Sequence, residues 1–119
     1  MRDPTPRMLK VNSTLRQVIA DQVERLSDSR LEMVSITGVD TSPDLRHATV
    51  YIDVLGLGDS SEALEALQRA SKRLQGAIAR QVRMKFTPTL DFAVDPGVLG
   101  GERIDAILRS LERKDDSDD

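Results

Sequence analysis

Between Arg69 and Lys85 lie six basic side chains, Arg69, Lys72, Arg73, Arg80, Arg83 and Lys85, and no acidic one. A cation run of this kind holds phosphates, through charge-assisted hydrogen bonds and release of the counterions that a polyanion carries. Wound as a helix at about 100° per residue, the segment puts Arg69, Lys72, Arg73, Arg80 and Arg83 within an arc of about 100°. Gly76 falls in the middle of that arc, where the missing side chain lets a ligand backbone come close. Leu74, Ile78 and Val82 fall opposite and make a core face. A face built only for solubility mixes signs, because opposite charges at i, i+4 stabilise a helix and like charges repel. Unmixed cations cost stability and point to a polyanionic partner.

Other residue sets offer less. Asp91 and Asp95 would share one face of a strand, where paired carboxylates can chelate Mg²⁺ or divide acid and base roles. No third ligand accompanies them, and solvated strand carboxylates are commoner. His47 is a candidate general base, but no Ser or Asp partner is set by spacing, so a surface histidine is the simpler reading. Gly56-Leu57-Gly58 lacks the further glycine and the Lys-Ser/Thr pair of a phosphate loop. Gly97-Val98-Leu99-Gly100 matches the GxxG that clamps nucleotide backbones, yet it follows a strand, has no basic flank and carries bulky apolar middle residues.

The chain has 119 residues, no cysteine, one histidine and a net charge of −3. That length suits one domain, large enough to bury a core without staples. The absence of cysteine excludes a disulfide scaffold, a zinc ribbon, a thiol nucleophile and a thiolate-held cluster. A single histidine excludes a histidine-rich metal site, so neither metal nor cofactor is expected. Tyr51, Phe86 and Phe92 are the only aromatic residues, too few to stack several bases in a row. The net charge conceals an uneven distribution. Residues 59–90 carry six basic and three acidic side chains, whereas 91–119 carry four and nine. No apolar stretch approaches the roughly 20 residues that span a bilayer, and Met1-Arg2-Asp3-Pro4-Thr5-Pro6 lacks a signal peptide's hydrophobic stretch, so a soluble cytoplasmic protein is expected.

The elements that must position the cations follow from periodicity. Leu9, Leu15, Val18, Ile19, Val23 and Leu26 predict an amphipathic helix over about 10–27, capped by Asn12 or Ser13 and ended by Asp28-Ser29-Arg30. Val34–Thr41 and His47–Leu55 predict a hairpin whose second strand buries Ala48, Val50, Ile52 and Val54. Ser42-Pro43-Asp44-Leu45 supplies the turn. After a loop, Ser60 or Ser61 opens a helical pattern that runs without proline to about Met84, with Ala63, Leu64, Ala66, Leu67 and Ala70 inward. Leu90, Phe92 and Val94 make a third strand. Ile104, Ile107, Leu108 and Leu111 make a weak last helix, and residues 112–119 read as a disordered acidic tail. The result is an α+β domain, α-β-β-α-α-β, whose three-stranded sheet is covered by helices on one face.

Ile36-Thr37-Gly38-Val39-Asp40-Thr41-Ser42-Pro43-Asp44-Leu45-Arg46-His47-Ala48-Thr49-Val50-Tyr51 resembles the signature hairpin of the bacterial ribosome-binding factor A family, I-T-x-V-x-x-S-x-D-L-x-x-A-x-V-Y. Lys10-Val11-Asn12, Asp28-Ser29-Arg30-Leu31, Ala66-Leu67-Gln68-Arg69-Ala70-Ser71, Arg83 to Phe92 and Gly101-Glu102-Arg103-Ile104 extend the likeness over roughly residues 7–111. The resemblance implies a type II KH-like fold and binding to the small (30S) ribosomal subunit during late 16S rRNA maturation, without catalysis. It also implies an interhelical kink at Ala70-Ser71-Lys72, where Lys72 stands in place of the family's glycine. The expected organisation is a flexible 1–6, an RNA-binding domain over 7–96, an accessory helix over 97–111 and the tail. RNA contact is expected from Lys10, Arg16, Arg30, Arg69, Lys72, Arg73, Gly76, Arg80, Arg83 and Lys85, on a monomer. An assembly GTPase is a further candidate partner. Two rivals are a module that docks an acidic protein on the same basic helix, and a small enzyme using Asp91, Asp95 or His47.

Overall fold

A computed structural model describes residues 5–56 and 59–97. The expected last helix, the tail and most of Gly97-Val98-Leu99-Gly100 lie outside the described residues.

Helix α1 spans Pro6–Arg25. It starts earlier than the apolar pattern predicts because Thr5, not Asn12 or Ser13, is its cap: Thr5 Oγ1 accepts from the Met8 N–H at 3.2 Å, and Pro6 fills the first turn, where no N–H is missed. Asn12 is engaged elsewhere. Its Oδ1 accepts from both the N–H and the Oγ1 of Thr41, at 3.0 and 2.7 Å, and so ties the helix to the end of the first strand. Met8, Leu15, Val18, Ile19 and Val23 are buried along one stripe. A short 3₁₀ turn, Ser29–Leu31, follows and buries Leu31.

Strands β1 (Val34–Thr41) and β2 (His47–Val54) pair antiparallel, and β3 (Thr89–Val94) adds parallel to β2, which is therefore central. In β2 the alternation holds: Ala48, Val50 and Ile52 are buried. In β1 it is interrupted, because the register passes from Ile36↔Ile52 to Gly38↔Tyr51 and leaves Thr37 as an extra residue. That bulge shifts the inward parity, so Ile36 and Val39 both face the core at a spacing of three. The hairpin turn is closed by Asp44 Oδ1, which accepts from Ser42 Oγ at 2.6 Å and the Arg46 N–H at 3.1 Å. Its sharpest residue is Leu45, at φ 61, a left-handed conformation that a branched side chain adopts only under tertiary constraint. Burial of the Leu45 side chain supplies the constraint.

The stretch predicted as one helix is two, α2 (Ser60–Arg69) and α3 (Ser71–Gln81), with Ala70 between them at φ −87, ψ 0. Asp59, rather than Ser60 or Ser61, caps α2: its Oδ1 accepts from Ser61 and Glu62 N–H. A carboxylate there also meets the positive end of the helix dipole. Helix α3 ends at Gln81, short of Met84, and Val82 is already extended at φ −119, ψ 130. From there the chain alternates, with Val82 and Met84 half-buried against the core and Arg83 and Lys85 exposed. All three helices lie on the same face of the sheet; Leu67, Leu74 and Ile78 close the core over Val50 and Ile52. The other face presents Asp40, His47, Asp53 and Asp91. Among the described residues, no helix is long and apolar enough to cross a membrane.

Candidate nucleic-acid interface

The break at Ala70 brings three cations together. Arg30 from the 3₁₀ turn, Arg69 from the end of α2 and Arg73 from the first turn of α3 line one cleft of about 320 Å³ with Leu26, Ser27, Asp28, Leu31, Ala66 and Ala70. Arg69 and Arg73 stand on either side of the break, Arg69 as the last residue of α2 and Arg73 in the first turn of α3.

Two of these cations are already paired. Arg30 donates through Nε and Nη2 to the Asp28 carboxylate at 3.0 and 2.8 Å, and its backbone N–H donates to the same Oδ1. The side-chain bond to Arg30, then the backbone bond, hold Asp28 below the ordinary aspartate range, and the same pair raises Arg30. Arg69 reaches Glu65 one turn earlier at 2.7 Å, on an open surface. Exposed i, i+4 pairs of this kind stabilise by only ~0.5 kcal/mol, so a phosphate can replace the carboxylate at small cost.

Lys72, Arg73 and Arg80 are exposed and have no ion-pair partner among the described residues. Lys72 and Arg73 also stand in the first turn of α3, which has no acidic residue and no side-chain cap. Cations at the positive end of a helix are unfavourable, and an anion bound there reverses the penalty. Gly76 sits half-buried under the Arg80 side chain: a Cβ at this position would meet Arg80 Nη1 at 3.3 Å. The glycine therefore gives the guanidinium room to fold back along the helix.

The structure separates the other expected residues from this group. Lys10 is exposed on α1, outside the cleft. Arg16 borders a different cleft of about 530 Å³ that also contains Glu24, Asp28 and Glu32, a poor setting for a phosphate. Arg83 is a correction to the helical wheel: it follows the end of α3 and, with Lys85, joins Arg7, Arg46 and Phe86 around a separate cleft of about 390 Å³, with Val11, Asp44, Leu45 and Met84. Arg46 Cζ stands 4.3 Å from the centroid of the Phe86 ring and Lys85 Nζ 5.6 Å from it. Sequence reasoning did not find Arg7, Arg46 or Phe86. Only the adjacency of Phe86 to Lys85 hinted at them, because the three come from distant parts of the chain.

His47 Nδ1 is 2.7 Å from Thr89 Oγ1, its partner across β2 and β3. Asp91 is exposed on the open sheet face, and Asp95 Oδ1 accepts from the Gly97 N–H. Among the described residues, no group of three His, Asp or Glu side chains is placed to hold a metal ion.

The order α-β-β-α-α-β, the mixed sheet with β2 at its centre and the paired helices meeting at one residue define a KH-like domain. Domains of the KH class are RNA-binding modules. The chain belongs to the ribosome-binding factor A family, whose sequence model matches residues 7–108. Ribosome-binding factor A of Rubrobacter xylanophilus is 44% identical over 110 residues, 92% of this chain and 90% of that protein. The Methylocella silvestris protein is 39% identical over 117 residues, 95% of this chain and 76% of its own length. Among solved structures, the crystal structure of ribosome-binding factor A from Thermus thermophilus superposes with a TM-score of 0.69 at 32% identity, covering 73% of this chain and 94% of that one. The solution structure of a Thermotoga maritima protein gives 0.70 at 29% identity, covering 82% and 94%. A Thermus thermophilus homology model fitted into the cryo-EM map of a complex of the 30S subunit with that factor gives 0.60 at 34% identity, covering 69% and 88%.

Proposed function

We propose that the chain binds the free small ribosomal subunit through 16S rRNA and assists late maturation of that rRNA, acting by occupancy and without catalysis. The observation that carries the proposal is the convergence of Arg30, Arg69 and Arg73 at the α2–α3 break, continued along α3 by Lys72 and Arg80. The similar Thermus thermophilus factor fitted into a 30S complex supports the choice of partner. Phosphates enter where the helix dipole and the cations add, and Gly76 leaves room for the Arg80 guanidinium to lie along the helix toward them. Binding favours whichever rRNA conformation presents its phosphates at that spacing, so occupancy shifts the rRNA toward it. The factor works as a cytoplasmic monomer, and an assembly GTPase is the class of enzyme that would release it.

The test is co-sedimentation of Arg73→Glu with Arg80→Glu against small subunits. Both side chains are exposed, so the fold survives and association is lost. Undiminished co-sedimentation would refute the proposal. Equal loss of binding to rRNA fragments and to an acidic protein, with no preference for structured RNA, would favour protein docking instead.

A further inference from the structure

We propose that the cleft between the start of α1, the hairpin turn and residues 82–88 is a second RNA site, specific for an unpaired nucleotide of a single-stranded segment. Phosphates lie on Arg7, Arg83 and Lys85, and the base joins the Arg46–Phe86 stack. This inference rests on the reading of the chain as an rRNA-binding protein, and adds to it a separate site with a different RNA conformation.

The charge is one-sided. Four cations line the cleft against one carboxylate, Asp44. That carboxylate is occupied by the turn: the Ser42 hydroxyl, then the Arg46 N–H, hold it below the ordinary aspartate range. The aromatic ring is left out of the core. Phe86 is 47% exposed although the chain has only two phenylalanines, and its ring carries a guanidinium at stacking distance. A ring in water flanked by cations is the arrangement by which single-stranded nucleic acid is held, with backbone on charge and base on a π face.

The backbone beneath is anchored. Leu45, buried at φ 61, sets the turn that presents Arg46. The Arg46 carbonyl accepts from the Thr89 N–H at 2.9 Å, while the Pro88 carbonyl accepts from Gln75 Nε2 at 2.9 Å and Pro88 is fully buried. These bonds fix the C-terminal end of the segment bearing Phe86, and the Val82 N–H, which donates to the Ile78 carbonyl at 2.8 Å, ties its start to the end of α3, which lowers the ordering cost of binding. The cleft, at about 390 Å³, falls within the size range of sites for single small molecules.

An acidic peptide would satisfy the cations but make no use of the exposed ring, and a duplex hides the faces of its bases. Unpaired RNA uses both. The site is also distinct from the helix-break cleft. Arg7 lies at the start of α1 and Leu26, which lines the other cleft, follows its end, so about 28 Å of helix separates them. Two modest sites at that distance on one rRNA gain affinity by avidity.

The experiment measures binding of the full chain to a labelled oligouridylate and to a hairpin duplex, beside co-sedimentation with small subunits. Phe86→Leu is expected to weaken oligouridylate between about 5- and 150-fold, the range of a lost base–aromatic stack, and to leave the duplex unchanged. Arg83→Gln with Lys85→Gln is expected to lower the salt slope on oligouridylate by about 1.4. Both sites of substitution are exposed, and circular dichroism melts of each variant check that the fold is retained. Equal oligouridylate affinity in wild type and Phe86→Leu would overturn the proposal. So would equal weakening on duplex, absence of oligouridylate binding by wild type, or tighter binding of polyglutamate than of oligouridylate. Failure of the wild-type chain to sediment with small subunits would instead refute the broader function, and is read independently of the oligonucleotide.

Discussion

Lys72→Glu combined with Arg73→Glu should make the fold more stable and the RNA complex weaker, and the opposed signs are the point. Both residues occupy the first turn of α3, with no acidic neighbour in that turn and no side-chain cap. Replacing cations by carboxylates at a helix N-terminus removes an unfavourable interaction with the dipole and adds a favourable one, each worth typically 0.3–1 kcal/mol. It also removes Arg73 from a cleft it shares with Arg30 and Arg69. A gain of about 1 kcal/mol follows, or roughly 4–6 °C in Tm for a domain of this size. On the RNA side two phosphate contacts disappear. At 0.15 M salt their counterion release corresponds to about 30-fold in affinity, and the salt slope drops by about 1.4–1.8. Thermal melts followed by circular dichroism read the first quantity, and filter binding to small subunits across a salt series reads the second. A double variant destabilised by more than about 1 kcal/mol would show that these cations serve the fold. Unchanged affinity and slope would show that they do not meet phosphate.

Asn12→Ala leaves the buried Thr41 N–H and hydroxyl without an acceptor and should cost about 2–4 kcal/mol in urea unfolding at unchanged m, whereas Asn12→Asp keeps both bonds and costs little. A cost for Asn12→Ala below about 0.5 kcal/mol would contradict the tie between α1 and β1. Gly76→Ala should stabilise α3 by about 0.5–1 kcal/mol, since the added Cβ meets only the flexible end of Arg80, while subunit affinity falls as the Cβ shifts the Arg80 guanidinium from its place along the helix. Loss of stability in a melt would contradict this. Asp28 titrates below its ordinary value because of its bonds to Arg30, so its stabilisation is complete above the ordinary aspartate range and fades as pH falls through the folded value, below about pH 4. Wild type should lose that increment of Tm on acidification and Asp28→Asn should not; parallel curves would refute it.

What could be read from the sequence followed the physics of each element. Strand β2 was legible because a half-buried strand must alternate, and Ala48, Val50 and Ile52 do so without interruption. The bulge at Thr37 was not, because one extra residue shows only as a spacing of three between Ile36 and Val39. Helix starts were displaced because several short polar residues in a row can cap, and which one does depends on the approach of the chain: Thr5 displaced Asn12, which a tertiary contact claims, and Asp59 displaced the serines after it. The wheel reached too far for a similar reason. Leu74 and Ile78 fit a helix, but Val82 and Met84 fit an extended segment equally well, and only packing decides. The change took Arg83 off the α3 face and put it, with Lys85, beside Arg7 and Arg46. Periodicity carries no trace of the break at Ala70, because the residues on both sides of it fit one helix. Likewise, the meeting of Arg30 with Arg69 and Arg73 depends on the relative placement of three elements.

The central claim is that the helix-break face of the domain, and not its open sheet face, lies against 16S rRNA. Because the chain has no cysteine, single thiols can be placed at will. An iron chelate tethered at Ala79→Cys, exposed on α3, and another at Asp91→Cys, exposed on β3, would each generate hydroxyl radicals in a complex with free small subunits. Cleavage of 16S rRNA from the Ala79 position, with none from the Asp91 position, is the predicted result. Cleavage from Asp91 with none from Ala79 would contradict it.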